Sequence, residues 1–422
     1  MGSRIVAVLV PVVLSRFLPP TSVTSVSFVI LAAALPLLAL ATGCGTIRTP
    51  SSATATAQAQ PPAPLTASEI AALLPSQVRD RGGWSEAIAN ALGANQLPLD
   101  RTSACTVIAV IAQESGFDAD PAVPGLAAIA AARIDHYKAK LGPFGEPLFD
   151  RLLSGRAPDD ARPFRERLAR LRTERDADVL FRDLLAYYQV NHPALFTAAE
   201  WAGKLTDLDG LASLNPITTA GSMQVSVRFA EEWAIARKGK TATSDSVRDA
   251  LYTRPGGVYY GTARLLSYPA QYDRVLFRFA DYNAGLYASR NAAVQAQLSR
   301  LTGRKLMLDG DLLSYDRSGK PHDEESESER AVQAFAQRYA PQLSVGAIRQ
   351  DLLREKTIGF EGTETYRAIK TVAAQKLGDA AGYATLPQVA ITSPKLKGTR
   401  STAWYVQSVD RRYQTCIGKP GR

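Results

Sequence analysis

From Ser103 to Ala112 the chain carries no charged residue, and only Ser103 and Thr106 interrupt a run of Ala, Cys, Val and Ile. Coiled at 3.6 residues per turn, this segment is apolar on every side, and a helix without a polar face is stable only with neighbours all round it. That constrains the fold more than any other feature. The flanking sequence has mainly helical periodicity, from a capping-box pattern at Thr66 and Glu69 ahead of Ile70, Leu73 and Leu74 to about Arg300. Ser103 is the expected N-cap of the central helix and Gly116 its stop. Glu114 then sits at the C-terminal end of a buried helix, where apolar surroundings and the negative end of the helix dipole both disfavour its charged form. A carboxyl still protonated near neutral pH can serve as a general acid.

Three short segments follow one another in the order Gln113-Glu114-Ser115-Gly116-Phe117, Gly221-Ser222-Met223-Gln224-Val225 and Asp281-Tyr282-Asn283-Ala284-Gly285. Together they resemble the signature of lytic transglycosylases, lysozyme-like enzymes that cut peptidoglycan. The stretch Pro255 to Leu266, a glycine-containing helix ahead of the third segment, is similar to that family too. The resemblance implies a mainly α fold with a lysozyme-like catalytic domain and Glu114 as the catalytic acid and base. It implies substrate contacts from Ser115, Met223, Gln224, Tyr282 and Asn283, with Asn283 equally suited to packing its turn against the central helix. It further implies that the 2-acetamido group of N-acetylmuramic acid assists departure and that its 6-hydroxyl then attacks, giving a 1,6-anhydro product without a second carboxylate. Ser222 and Asp281 stand where the family commonly has leucine and alanine. On a helix Asp281 points about 100° away from Tyr282, which turns it from the site. Asp118 and Asp120 are expected to shape the loop after Glu114.

The first 43 residues read as an export segment, with apolar runs from Ile5 to Leu14 and Val26 to Ala41. Leu40-Ala41-Thr42-Gly43-Cys44 resembles a lipobox, which implies lipidation of Cys44 and, with Gly45 following it, an outer-membrane lipoprotein facing the periplasm. An uncleaved anchor is the alternative. Residues 44–65, rich in Ser, Thr, Ala, Gln and Pro, form the expected flexible tether. The remaining cysteines, Cys105 and Cys416, are either a disulfide formed in an oxidising compartment or two buried thiols. His136, His192 and His322 lack the spacing of metal ligands, so neither metal nor cofactor is expected. The net charge of +9 suits an acidic polymer without requiring one. The export segment argues against nucleic acid.

The catalytic domain is expected over residues 66–313, with a large helical insertion at 118–216 that compact lytic transglycosylases lack. Inside it, Pro163 to Arg182 reads as an Arg-rich helical stretch with Phe164, Leu168, Leu171, Val179, Leu180 and Leu184 as its buried stripe. Residues 314–422 form a small α+β extension of unknown role: a polar linker from Ser314 to Glu329, helices from Arg330 to about Gly378, and strands within Gln388 to Val409. The expected partners are peptidoglycan glycan strands and a membrane reached through the lipid anchor. An inactive glycan-binding scaffold and a hydrolytic muramidase are the competing readings.

Overall fold

The computed structural model describes residues 63–419 apart from 195, 198, 199, 201–210, 317, 318 and 392–399. The export segment and Cys44 lie outside the described residues. Thr66 accepts the Glu69 backbone N–H while the Glu69 carboxylate accepts that of Thr66, so helix α1 (Ala67–Leu73) starts in the expected capping box. Helices α2 (Arg81–Ala94) and α3 (Arg101–Glu114) follow. Every residue of α3 from Ser103 to Ile111 is buried, as its lack of a polar face demands. Its N-cap is Asp100, not Ser103: the Asp100 carboxylate accepts from the Ser103 N–H at 2.7 Å. An ionised oxygen at the positive end of the dipole makes the stronger cap, and Ser103 moves inside the helix. At the far end Gly116 takes a φ of +64° and its N–H returns to the Ile111 carbonyl.

The segment after Glu114 builds a small core of its own from α4 (Leu126–Lys140), α5 (Gly145–Ser154), α6 (Phe164–Ala169) and α7 (Glu174–Asn191), around Leu126, Leu153, Phe164, Leu171 and Leu180. The stretch from Pro163 to Arg182 is therefore two helices and not one. It breaks where Thr173 caps α7 and where the Arg172 carbonyl accepts the Val123 N–H, and Val179 falls outside the buried stripe. A two-strand hairpin comes next, β1 (Thr219–Ala220) antiparallel to β2 (Val225–Ser226). Then come α8 (Val227–Lys238), α9 (Ser244–Leu251), α10 (Arg254–Leu266) and α11 (Leu276–Ala284), which close round α3 with α1 and α2. A further core gathers α12 (Ala288–Thr302), α13 (Glu327–Tyr339), α14 (Val345–Leu352) and α15 (Glu364–Leu377). Helix α13 starts within the expected linker, capped by Ser326.

The C-terminal segment departs most from the expectation. Among the described residues of Gln388 to Val409, strand pairing is limited to β3 (Ala390–Ile391) against β4 (Arg400–Ser401), and Thr402 to Ile417 is helix α16, capped by the Ser401 hydroxyl. Tyr405, Val406, Val409 and Cys416 of α16 are buried in the core that holds α3. Their spacing repeats at a helical period that the local richness in β-branched and aromatic residues obscures. Residues 314–422 are thus not one appended unit, because the last helix returns to the first core. Cys105 of α3 and Cys416 of α16 are joined by a disulfide with Cα atoms 5.6 Å apart. The fold is mainly α.

Candidate active site

Glu114 is the last residue of α3, and the turn that Gly116 closes leaves it half-buried. Helix α16 grips this end of α3 at two adjacent residues. The Tyr405 hydroxyl donates to Glu114 Oε1 at 2.6 Å, and the Ser408 hydroxyl donates to Gln113 Oε1 at 2.8 Å. Tyr405 and Ser408 are three residues apart and share one helix face. Burial, and then the negative charge of Glu114, push the Tyr405 phenol well above its usual range, so it stays a neutral O–H donor.

The second motif forms the hairpin turn between β1 and β2. Gly221 takes a φ of +77°, and a Cβ there would come within 2.0 Å of the Leu251 carbonyl oxygen. Met223 is fully buried against α10 at Gly261, where a Cβ would fall 2.3 Å from the Met223 sulfur. Ser222 is fully buried beside Gly257. Small residues on α10 thus let the turn approach the helix closely. The Met223 carbonyl accepts the Tyr282 hydroxyl at 2.8 Å, tying the second motif to the third. The Tyr282 phenol is pushed up by burial and by the charge of Glu114, so acid and phenol are electrostatic neighbours.

The remaining expected site residues have partners within the protein. The Ser115 hydroxyl donates to the Ile111 carbonyl and accepts the Asp118 N–H, both at 3.3 Å, so it closes the turn after α3. Asn283 is exposed, and its Oδ1 accepts the Thr402 hydroxyl at 3.2 Å, which braces the start of α16. Gln224, at a φ of +50°, donates to Glu174 Oε2 at 2.7 Å and accepts the Thr219 hydroxyl at 3.1 Å. Asp281 is fully buried and turned away from the site, accepting from the Tyr268 and Tyr272 hydroxyls and from the Tyr287 and Ser289 backbone N–H groups.

The insertion adds groups of its own. Glu174, the first residue of α7, is buried and meets Gln224. Asp178, one turn on, is fully buried and accepts from Arg248 of α9 at 2.6 Å and from Asn215 at 2.7 Å, which clamps α7 to the first core. Beyond Glu114, Phe117 packs edge-on against Trp84 at 5.3 Å and lines a cavity of about 840 Å³ with Trp84, Tyr252, Tyr259 and Arg254. Three motifs well separated in sequence are therefore drawn to one end of α3.

Residues 77–419 match the model of a family described as "Protein of unknown function (DUF1615)". The chain belongs to the DUF1615 family. It is similar to the Uncharacterized protein YaiW of Escherichia coli (strain K12), with 36% identity over 352 residues, or 83% of this chain and 89% of YaiW. No solved structure matches it. The DUF1615 match includes all three motifs, the insertion and α16. Two residues of this DUF1615 site escaped the sequence reading, Tyr405 and Glu174. Tyr405 lay in a stretch read as strand, and the signal that marks it is its helical spacing to Val409 and Cys416. Glu174 opens a helix in a run of alternating charges and has no local signal. Among the described residues no helix is long and apolar enough to cross a membrane.

Proposed function

We propose that this protein is a peptidoglycan lytic transglycosylase with a lysozyme-like catalytic domain, cleaving between N-acetylmuramic acid and N-acetylglucosamine. One observation carries the reading: Glu114 ends a buried helix beside Tyr282, the Met223 turn is bonded to that same Tyr282, and the Tyr405 phenol holds Glu114. The Tyr405 phenol donates to Oε1, and the Glu114 carboxyl carries the acidic proton. Glu114 gives that proton to the departing glucosamine O4 as the C1–O4 bond breaks. The muramic acetamido oxygen supports C1, and the 6-hydroxyl then bonds to C1 as its proton returns to Glu114. The 1,6-anhydro product forms without water. Lipidation at Cys44 in the outer membrane, proposed from the lipobox resemblance, would bring the domain to the cell wall.

A hydrolytic muramidase is the second reading, and Glu174 is what favours it. A buried carboxylate against Gln224 offers a second acidic group near the motifs, of the kind an inverting or retaining hydrolase needs. The test is to incubate purified sacculi with the protein starting at Gly45 and with its Glu114→Gln variant, and to weigh the released muropeptides. Anhydro products that vanish in the variant support the transglycosylase, and reducing-end products support the hydrolase. No release by either protein sinks both.

A further inference from the structure

We propose that Arg264 binds an anionic group of the substrate, a carboxylate of the peptide stem on the glycan strand, beside Tyr282; this rests on the peptidoglycan reading above. Gly257, Gly261 and Arg264 follow one another at four and three residues along α10, so they share a face. The first two positions meet Ser222 and Met223. Arg264 is one turn further along this face, and Tyr282, whose phenol bonds the Met223 carbonyl, feels the charges of both Glu114 and Arg264. The guanidinium and the acid therefore act on one phenol.

Arg264 is half-buried, yet among the described residues it has no hydrogen bond and no ion pair; its guanidinium stands 5.5 Å from the Phe229 ring centre. Other partly buried arginines here are paired: Arg248 with Asp178, Arg167 with Asp183, Arg349 with Glu329. Asp281 lies near enough to act on Arg264, but two phenols and two backbone N–H groups already occupy it. Burial draws the Arg264 pKa down; nearby phenols and Asp281 oppose that shift, while the positive charge of Arg228 adds to it. A cation withdrawn from water without a partner is costly to keep. A planar carboxylate taken up by two of its N–H donors would offset that cost. The sugar carbon becomes positive in the transition state, so a guanidinium has nothing to stabilise there. Arg264 accordingly serves binding, not bond cleavage.

Binding is measured in the Glu114→Gln protein, where the strand stays whole, on sacculi that keep their stems and on sacculi stripped of them by an amidase, where the carboxylate left on each muramic acid is the lactyl one and not a stem carboxylate. Glu114→Gln should hold stem-bearing sacculi about tenfold more tightly than stripped ones, the worth of one charge-assisted contact. Adding Arg264→Gln should abolish that preference without changing retention on stripped sacculi. Arg264→Lys should restore part of it, and added salt should narrow it. Equal weakening on both sacculi would make Arg264 a structural residue, and no weakening on either would remove it from the site; both outcomes overturn the proposal. Because the readout is binding, failure of the native protein to release anhydro products would sink the cleavage reading while leaving this comparison intact.

Discussion

Tyr405 and Glu114 are 291 residues apart in sequence and share a 2.6 Å hydrogen bond, with the phenol as donor. That bond makes the last helix of the chain part of the site. Tyr405→Phe keeps the ring that packs in the core and removes only the hydroxyl. Losing a hydrogen bond to a reacting carboxyl costs roughly 1–3 kcal/mol. Release of muropeptides should therefore fall about tenfold or more in kcat with KM little changed. An unchanged kcat would mean that Tyr405 only fills space.

The disulfide between Cys105 and Cys416 closes a loop spanning 311 positions and fastens α16 to α3. In the chain-entropy picture a link of this span disfavours the unfolded chain by about 6 kcal/mol. Reduction, or Cys416→Ser, should lower the urea midpoint of the first core and reduce activity with it, because α16 carries Tyr405. Tyr405→Phe should instead lower activity with a smaller loss of stability. Urea titrations of the three proteins, with and without dithiothreitol, separate the two effects.

The residues that the sequence made legible are those whose signal is local. A run without charges predicted a buried α3, a capping box predicted the start of α1, and Gly116 predicted the turn that ends α3 after Glu114. The α16 helix was hidden because Trp404, Tyr405 and Val406 favour strand by type, while the burial of Tyr405 and Val406 is set by α3, far away in sequence. Asp100 outcompeted Ser103 as the cap, since an ionised acceptor gains from the dipole. Ser115 and Asn283 were matched by motif, but which partner a short polar side chain takes depends on its immediate neighbours, here the Asp118 N–H and Thr402. Arg264 drew no notice because being unpaired has no signature in sequence.

Asp281 is the departure that most invites a hydrolytic role, and its geometry gives it another. Four donors converge on its buried carboxylate, Tyr268 and Tyr272 from the loop between α10 and α11 and the Tyr287 and Ser289 N–H groups from the corner between α11 and α12. Asp281→Ala would strand two phenols and two backbone N–H groups, at a cost of about 3 kcal/mol or more. The product mass per cleavage event should stay the same while the melting temperature falls. A shift from anhydro to reducing-end products, or the reverse, would restore Asp281 to the chemistry.

Glu355 offers a test of the second core by pH. It is fully buried within the run Arg354-Glu355-Lys356 and accepts from the Leu312 and Leu313 N–H groups, the Tyr315 hydroxyl and the Asn291 amide. Burial dominates over these donors and pushes its pKa from 4.5 up to about 7. A carboxyl whose folded value lies above its unfolded one stabilises fully below the unfolded value and loses that contribution as pH rises through the folded value. Glutamine at this position does not titrate. The stability of the native protein relative to Glu355→Gln should thus decline between about pH 4.5 and pH 7 and level off above, by roughly 3 kcal/mol in all. Unfolding free energies of both proteins across that range decide it: a difference that stays flat from about pH 4.5 to pH 7 would show that the four donors hold Glu355 ionised throughout.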